Sequence, residues 1–530
     1  MRRAIPGLVC AALAFLAAGP PLSAQTSRLG TIDFPTSGAP EAQPQFVRGV
    51  LLLHSFEYRD AAQAFREAQR LDPGFALAYW GEALTYTHPI WDEQDVSAAR
   101  AALQRLGPTP AARRAKAPTP REQAYLETVE ILYGDGSKTK RDTAYSLALE
   151  RLVASFPADR EAQVFYALSL LGLNQGVRDV PTYLRAAAIV EKVFRENPNH
   201  PGAAHLLIHC YDDPIRAPLG LPAARAYSKI APDAAHAQHM TTHIFLALGM
   251  WDEVVSQNEL ASGRDRAAWT PDHYTHWLGY GYLQQGRYRD ALRHLDLMHE
   301  NMAKSRRGRP VLAQMRADYV VNTERWDSPS LGWSIDLAAV RARDAAVDAF
   351  VAGLSALKRG DRAGADRGLA DLAVINRSRA PPDPGHERDQ VPDILERELR
   401  ALLRQADGAV DDAVALMREA TALEDAMPLE FGPPAVVKPS HELLCEVLFQ
   451  AARPREAQVE CARALRLAPK RARSLLGLGR AAAAAGDLRT AARAYGDLRA
   501  IWHRADPDLP GLAEAVRFLA MPSRSEKGGS

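Results

Sequence analysis

The sequence predicts an all-α fold, a right-handed solenoid of stacked helix-turn-helix units. Three observations point there. At 530 residues the chain exceeds the size at which one hydrophobic core keeps growing, so it is an elongated array or several domains. Its clearest segments read as pairs of helices rather than as strands and turns. Those pairs repeat with one period, and the same small and aromatic residues return at the same places.

The cleanest copies lie near the C-terminus, where HELLCEVLFQAARPREAQVECARALRLAP is followed by SLLGLGRAAAAAGDLRTAARAYGDL. Setting Pro469 on the closing proline of the roughly 34-residue pattern W-x2-L-G-x2-Y…A-x3-F…P gives a register. Leu444, Cys445 and Leu448 then take the L-G-Y places, with Ala457 and Cys461 in the A-x3-F places. One period on come Leu478, Gly479, Ala482, Ala491 and Tyr495. Near the N-terminus FVRGVLLLHSFEYRDAAQAFREAQRLDP sets Gly49, Leu52, Ala61, Phe65, Ala68 and Pro73 in register. HYTHWLGYGYLQQGRYRDALRHLDLM does the same with Leu278, Gly279, Tyr282 and Ala291, and weaker copies close at Pro157, Pro198 and Pro232. On these residues the chain resembles tetratricopeptide repeat (TPR) proteins, and HLLIHCYDDP…HAQHMTTHIFLALGMWD, with LLHSFEY, YWGEALTYTHPIW and EFGPP elsewhere, looks in particular like a group of exported bacterial ones. The resemblance implies roughly ten or eleven units. It also implies a concave inner wall lined by the first helix of each unit, which holds a peptide or protein partner.

The ends and middle differ in material. Arg2 and Arg3 precede an apolar run from Leu8 to Ala18, so residues 1–24 are expected to be a secretory signal peptide. That makes the protein exported, and periplasmic in a Gram-negative cell. Residues 25–41 are expected to be mobile, 42–303 and 338–521 to be two solenoid halves, and 522–530 a disordered tail. Residues 304–337 fit no repeat and are expected to form an irregular connector. No later stretch is long and apolar enough to span a membrane. Net charge is +1, which excludes a domain-scale basic field for nucleic acid. Cys210, Cys445 and Cys461 read as small buried residues, a Cys445–Cys461 bridge being the alternative in an oxidising compartment.

The register gives the histidines a direction. In three consecutive units His205 and His209, then His236, His239 and His243, then His273 and His276 take places that the TPR resemblance turns inward. Tyr280 follows them, and Asp212 or Asp213 offers a carboxylate. His205/His209 and His239/His243 are each i, i+4 pairs, the spacing by which one helix offers two imidazoles to one metal. Adjacent helices lie about 8–10 Å apart, so the two pairs are expected to converge on Zn²⁺ or Cu²⁺. His54, His88 and Trp91 are expected to line the same channel, and Glu442 and Glu446 to reach it only if the superhelix curls. The plainer alternative is a solvated polar wall with no ligand. His200 reads as a cap, and Asp212-Asp213 before Pro214 as a helix stop. No HExxH helix, phosphate-binding loop or nucleophile elbow is present. The expected function is therefore an exported binding scaffold with a transition-metal site, the alternative being a metal-dependent hydrolase or oxygenase.

Overall fold

A computed structural model describes residues 28–173, 178–264, 273–302, 305, 308–338, 340–381 and 388–521. The predicted signal peptide and the tail 522–530 lie outside the described residues. The first units are α1 (Gln43–His54) with α2 (Tyr58–Leu71), and α3 (Ala76–Leu84) with α4 (Val96–Leu106). The short α5 (Pro110–Arg114) leads to α6 (Pro120–Leu132) with α7 (Lys138–Ser155), then α8 (Arg160–Gly172) with α9 (Val180–Glu196). Next come α10 (Pro201–Tyr211) with α11 (Ala217–Ile230), α12 (Ala235–Ala247) with α13 (Trp251–Arg264), and α14 (His273–Gln284) with α15 (Tyr288–Met302). A single helix, α16 (Gly308–Thr323), precedes α17 (Ala342–Lys358) with α18 (Arg362–Ser378) and α19 (Val391–Ala406) with α20 (Val410–Ala426). The series closes with α21 (Ser440–Gln450) and α22 (Pro454–Leu467), α23 (Ala472–Ala485) and α24 (Leu488–Ile501), and α25 (Pro510–Leu519). Among the described residues that is eleven hairpins.

Each hairpin forms for local reasons. Side-chain oxygens of Asp159, Asp179 and Asp487 cap the first free backbone N–H groups of α8, α9 and α24. Between units, the Phe65 ring fills the space left by Gly49 and Gly81, where an added Cβ would strike it. That explains why small residues recur at those places. The connector differs from expectation: α16 packs between α14, α15 and α17, carrying a buried face of Leu312, Met315, Val320 and Val321 without the repeat's small-residue places. Cys445 and Cys461 are joined by a disulfide, so the bridge, not the pair of free thiols, is what the structure holds. Cys210 is free and buried.

The larger departure is closure. Residues 28–42 are not a loose segment. Arg28 N donates to Asp233 at 2.6 Å, Thr31 N to the Asn199 carbonyl at 2.9 Å, and Ser37 N to Glu122 at 2.7 Å. Phe34 is buried among Phe46, Trp80 and Tyr125. The strap spans from the α11 end back to α1, and α1 in turn contacts α10. Tyr227 of α11 donates to Ser55 Oγ at 3.1 Å. The first five hairpins therefore wrap round until their two ends meet.

The later hairpins also fold back. Trp251 Nε1 donates to the Lys470 carbonyl at 2.9 Å, Arg471 to the Tyr280 hydroxyl at 2.8 Å, and Trp502 Nε1 to the Gln284 carbonyl at 3.1 Å. Gly249, at φ +65°, ends α12 in the left-handed region, and a Cβ there would run into the Pro469 carbonyl. Gly249→Ala is expected to lower global stability by at least ~2 kcal/mol, from backbone strain plus the lost approach of α12 to the α22–α23 turn. Chemical denaturation of the two proteins side by side measures it.

Candidate metal centre

Closure buries the inward face of α10 and α12. On α10, His205 and His209 point inward one turn apart. On α12, His236, His239 and His243 do so, and His273 at the start of α14 faces them. The first five are 0–7% exposed, which rules out a solvated polar wall. Among the described residues three groups of potential ligand atoms arise, the atoms of each lying within 4.8 Å of one another: His205/His209/His236, His239/His243/His273, and His54/Glu161/His200. The two expected pairs thus do not make one four-imidazole site. The α12 row divides instead, giving His236 to the α10 pair and keeping His239 and His243 for His273.

The partners of each ring decide its protonation. His205 Nδ1 lies 2.7 Å from the His54 carbonyl, an acceptor, so Nδ1 carries the proton and Nε2 is bare. His239 Nδ1 faces Asn258 Oδ1 at 2.8 Å, and His243 Nδ1 faces the Asp212 carboxylate. Both of these rings therefore also turn bare Nε2 atoms inward. Those two atoms are 3.2 Å apart. His205 Nε2 is likewise 3.2 Å from Nε2 of His209 and of His236. With both rings neutral, the lone pairs of His239 and His243 face each other at that distance in a buried space and repel unless a cation lies between them.

His205, His209, His236, His239 and His273 stay neutral at physiological pH. Burial, then repulsion by neighbouring imidazoles, pushes His209, His236 and His239 well below the ordinary histidine value. His205 is held down to about 3 by burial, against the opposing His54 carbonyl, and His273 to about 3 by burial and His243. Neutral imidazole is the metal-binding form. The walls are aromatic. Phe56 lies 4.3 Å from His205 between ring centroids, Tyr274 stacks on His239 at 3.9 Å, and Trp277 lies 4.3 Å from His243. Phe56 ends α1 at φ +55° with the same pair of backbone bonds that Gly249 makes after α12. A glycine-type position thus carries a ring, set over the first triad.

The third group is different in kind. His54 Nε2 donates to Glu161 at 2.6 Å, and His200 Nε2 donates to its other oxygen at 2.9 Å. His200 Nδ1 accepts from Ala203 N at 3.2 Å, so it caps α10 as the sequence suggests. Each facing nitrogen there donates its proton to a Glu161 oxygen, so neither imidazole turns a bare nitrogen towards the other. The network fixes His54, whose carbonyl orients His205.

No family model matches the chain, and no curated protein matches it. Among solved structures it is similar to the APC/C hetero-tetramer Cut9–Hcn1, at 11% identity over 83% of this chain and 76% of that one, with a TM-score of 0.35. It is also similar to the human IFIT1 dimer with m7Gppp-AAAA, at 15% identity over 90% and 92%, TM-score 0.35. The P58(IPK) TPR domain is 13% identical over 92% of this chain and 99% of that one, TM-score 0.22. The stacked hairpins themselves make the chain an all-α helical-repeat solenoid.

In this helical-repeat solenoid the remaining expected site residues lie outside the two triads. His54 belongs to the Glu161 network. His88 stacks on Tyr58 at 4.0 Å and bonds Glu93 at 3.2 Å, while half-exposed Trp91 forms a rim 5.9 Å from His236. His276 pairs with Asp318 at 2.6 Å. The superhelix does curl, but Tyr280 and Glu442 meet Arg471 rather than the histidines, and Glu446 meets Lys438. Asp213 acts as the helix stop, accepting from Ile215 N and Arg216 N, whereas Asp212 orients His243. Sequence reasoning missed Asn258, Tyr274, Trp277, Glu161 and Phe431. Only Phe56, standing where other turns have glycine, carried a readable signal. Beyond Asp212 lies a cavity of about 150 Å³, lined also by Leu246, Trp251 and Phe431, whose ring is 5.3 Å from His243.

Glu161 sets a pH dependence. Burial raises its carboxyl pKa, but His54 and His200 outweigh that and hold it at about 2, below an ordinary 4.5. A depressed carboxyl gives stability that is present above about pH 4.5 and is lost as pH falls towards about 2. Glu161→Gln is expected to cost ~3–5 kcal/mol at neutral pH and to flatten the acid limb in that window. Thermal melts followed by circular dichroism from pH 7 downward check both.

Proposed function

We propose that this is an exported metal-binding protein that holds Zn²⁺ or Cu²⁺ in two three-histidine sites inside a closed TPR-type scaffold. The observation that carries the reading is the set of Nε2 atoms facing one another at 3.2 Å, with those of His205, His239 and His243 bare because their Nδ1 atoms face acceptors. Ligands 2.0–2.1 Å from a tetrahedral ion stand about 3.3 Å from one another, so the spacing already fits a metal. The Nδ1 partners are of the kind that orient metal-bound histidines: a carboxylate, an amide oxygen and a backbone carbonyl. All six donors are imidazoles, which suits Zn²⁺ and Cu²⁺ better than Mg²⁺ or Ca²⁺.

Three protein ligands leave a coordination position open, as in catalytic rather than structural zinc sites. That favours a metal-dependent hydrolase or oxygenase as the second reading. Export is supported by the Arg2-Arg3 and Leu8–Ala18 pattern and by the Cys445–Cys461 bridge, which persists in oxidising compartments. Among the described residues no helix is long and apolar enough to cross a membrane. Repeat scaffolds present surfaces to protein partners. A partner peptide would meet such a surface elsewhere on this molecule, because the buried histidine face admits no helix or strand.

Protein purified without an affinity tag, offered Zn²⁺ or Cu²⁺ and desalted, is expected to retain metal by elemental analysis. His205→Ala and His243→Ala are each expected to lose one triad's share. Asp212→Asn keeps the ligands but removes the carboxylate behind His243, and is expected to weaken binding about 10–100-fold. Wild-type protein that retains no metal overturns the reading.

A further inference from the structure

We infer that the two triads form one dinuclear centre, in which the two metal ions share a small exogenous anion, hydroxide in plain water, as a bridge. The inference rests on the metal-binding reading and adds to it: two independent sites would satisfy that reading equally well.

Three observations carry it. The triads are interleaved on one element, since His236 serves the first and His239, one turn further along α12, serves the second. Across the boundary, His209 and His243 have ring centroids 5.8 Å apart, and His236 and His239 lie 6.3 Å apart. Those separations differ little from ones within a triad, such as 5.8 Å for His243 and His273. Tyr274 ties the two together, stacking on His239 at 3.9 Å while its hydroxyl meets His236 Nδ1.

Charge supplies the third. All six donors are imidazoles, and among the described residues the carboxylate that bonds a triad ring is Asp212, behind His243. Two divalent ions would bring four positive charges into a space lined by Phe56, Trp277 and Tyr274. Buried charge must be compensated, and no ligand atom of the six does so. Each ion also keeps an open position. One hydroxide placed between them fills both positions and lowers the charge at both ions, the arrangement of bridged two-metal sites. The proton released on forming it from water leaves to solvent, and no electron is transferred.

The test is copper titration of tag-free, full-length protein with Cu²⁺ alone, followed by elemental analysis and low-temperature EPR. At saturation two copper ions per chain are expected, with the EPR signal per bound copper reduced about ten-fold, because two d⁹ ions sharing a bridge couple their spins. His273→Ala and His209→Ala each break one triad. Each is expected to bind one copper per chain and to restore the full signal per copper. Two fully visible copper ions per wild-type chain would overturn the bridge while leaving metal binding intact. Saturation at one copper per chain would overturn it too. Retention of none would remove the metal-binding reading itself, so the two failures are distinguishable.

Discussion

The contact on which everything else depends joins the end of α1 to α10. There the His54 carbonyl receives the His205 ring, Phe56 covers it, and Tyr227 reaches back to Ser55. An open superhelix would leave the inner faces of α10 and α12 in water. The histidines would then be solvated, their rings would rotate freely, and their lone pairs would bond solvent. By bringing its fifth hairpin back to its first, the chain removes that water and aims the rings at one another. The strap of residues 28–42, anchored at Asp233, Asn199 and Glu122, secures the two ends.

Burial of so many polar rings is costly unless each nitrogen has a partner. The outer nitrogens of His205, His239 and His243 have theirs in a carbonyl, an amide and a carboxylate. The inner nitrogens face only one another. This division of satisfied Nδ1 and unsatisfied Nε2 is what the proposed metal sites rest on. The His54–Glu161–His200 network shows the contrast within the same molecule, because there the protons and lone pairs match and the cluster is complete without an ion.

The second half of the solenoid supports the chamber from behind. Glu442 sits between Arg471 at 2.8 Å and Lys438 at 3.2 Å, and Arg471 extends to Tyr280 on α14. Burial raises the Glu442 carboxyl pKa, but the two cations outweigh it and hold it well below the usual range. A carboxylate expected to line the channel is instead part of the seam that docks α21–α23 on α14. Phe431, from the proline-rich connection before α21, then closes over His243 and Trp277.

The sequence by itself determined the helical repeat, most hairpin positions and the inward phase of His205, His209, His236, His239, His243 and His273. The repeat and its hairpins follow from local periodicity, which every unit states in its own residues, and the inward phase follows from the TPR resemblance. How the rings are shared was not legible, because it depends on which units meet. The spacing of His236, His239 and His243 shows one face of one helix, and only the curl assigns the first ring to α10 and the others to α14. Asn258, Glu161 and the strap's Phe34 were invisible for the same reason: their importance comes from neighbours far away in the chain. The rise and rotation of one unit on the next are summed over five hairpins before α1 meets α10. A small change per unit decides whether the wall stays an open groove or closes into a chamber.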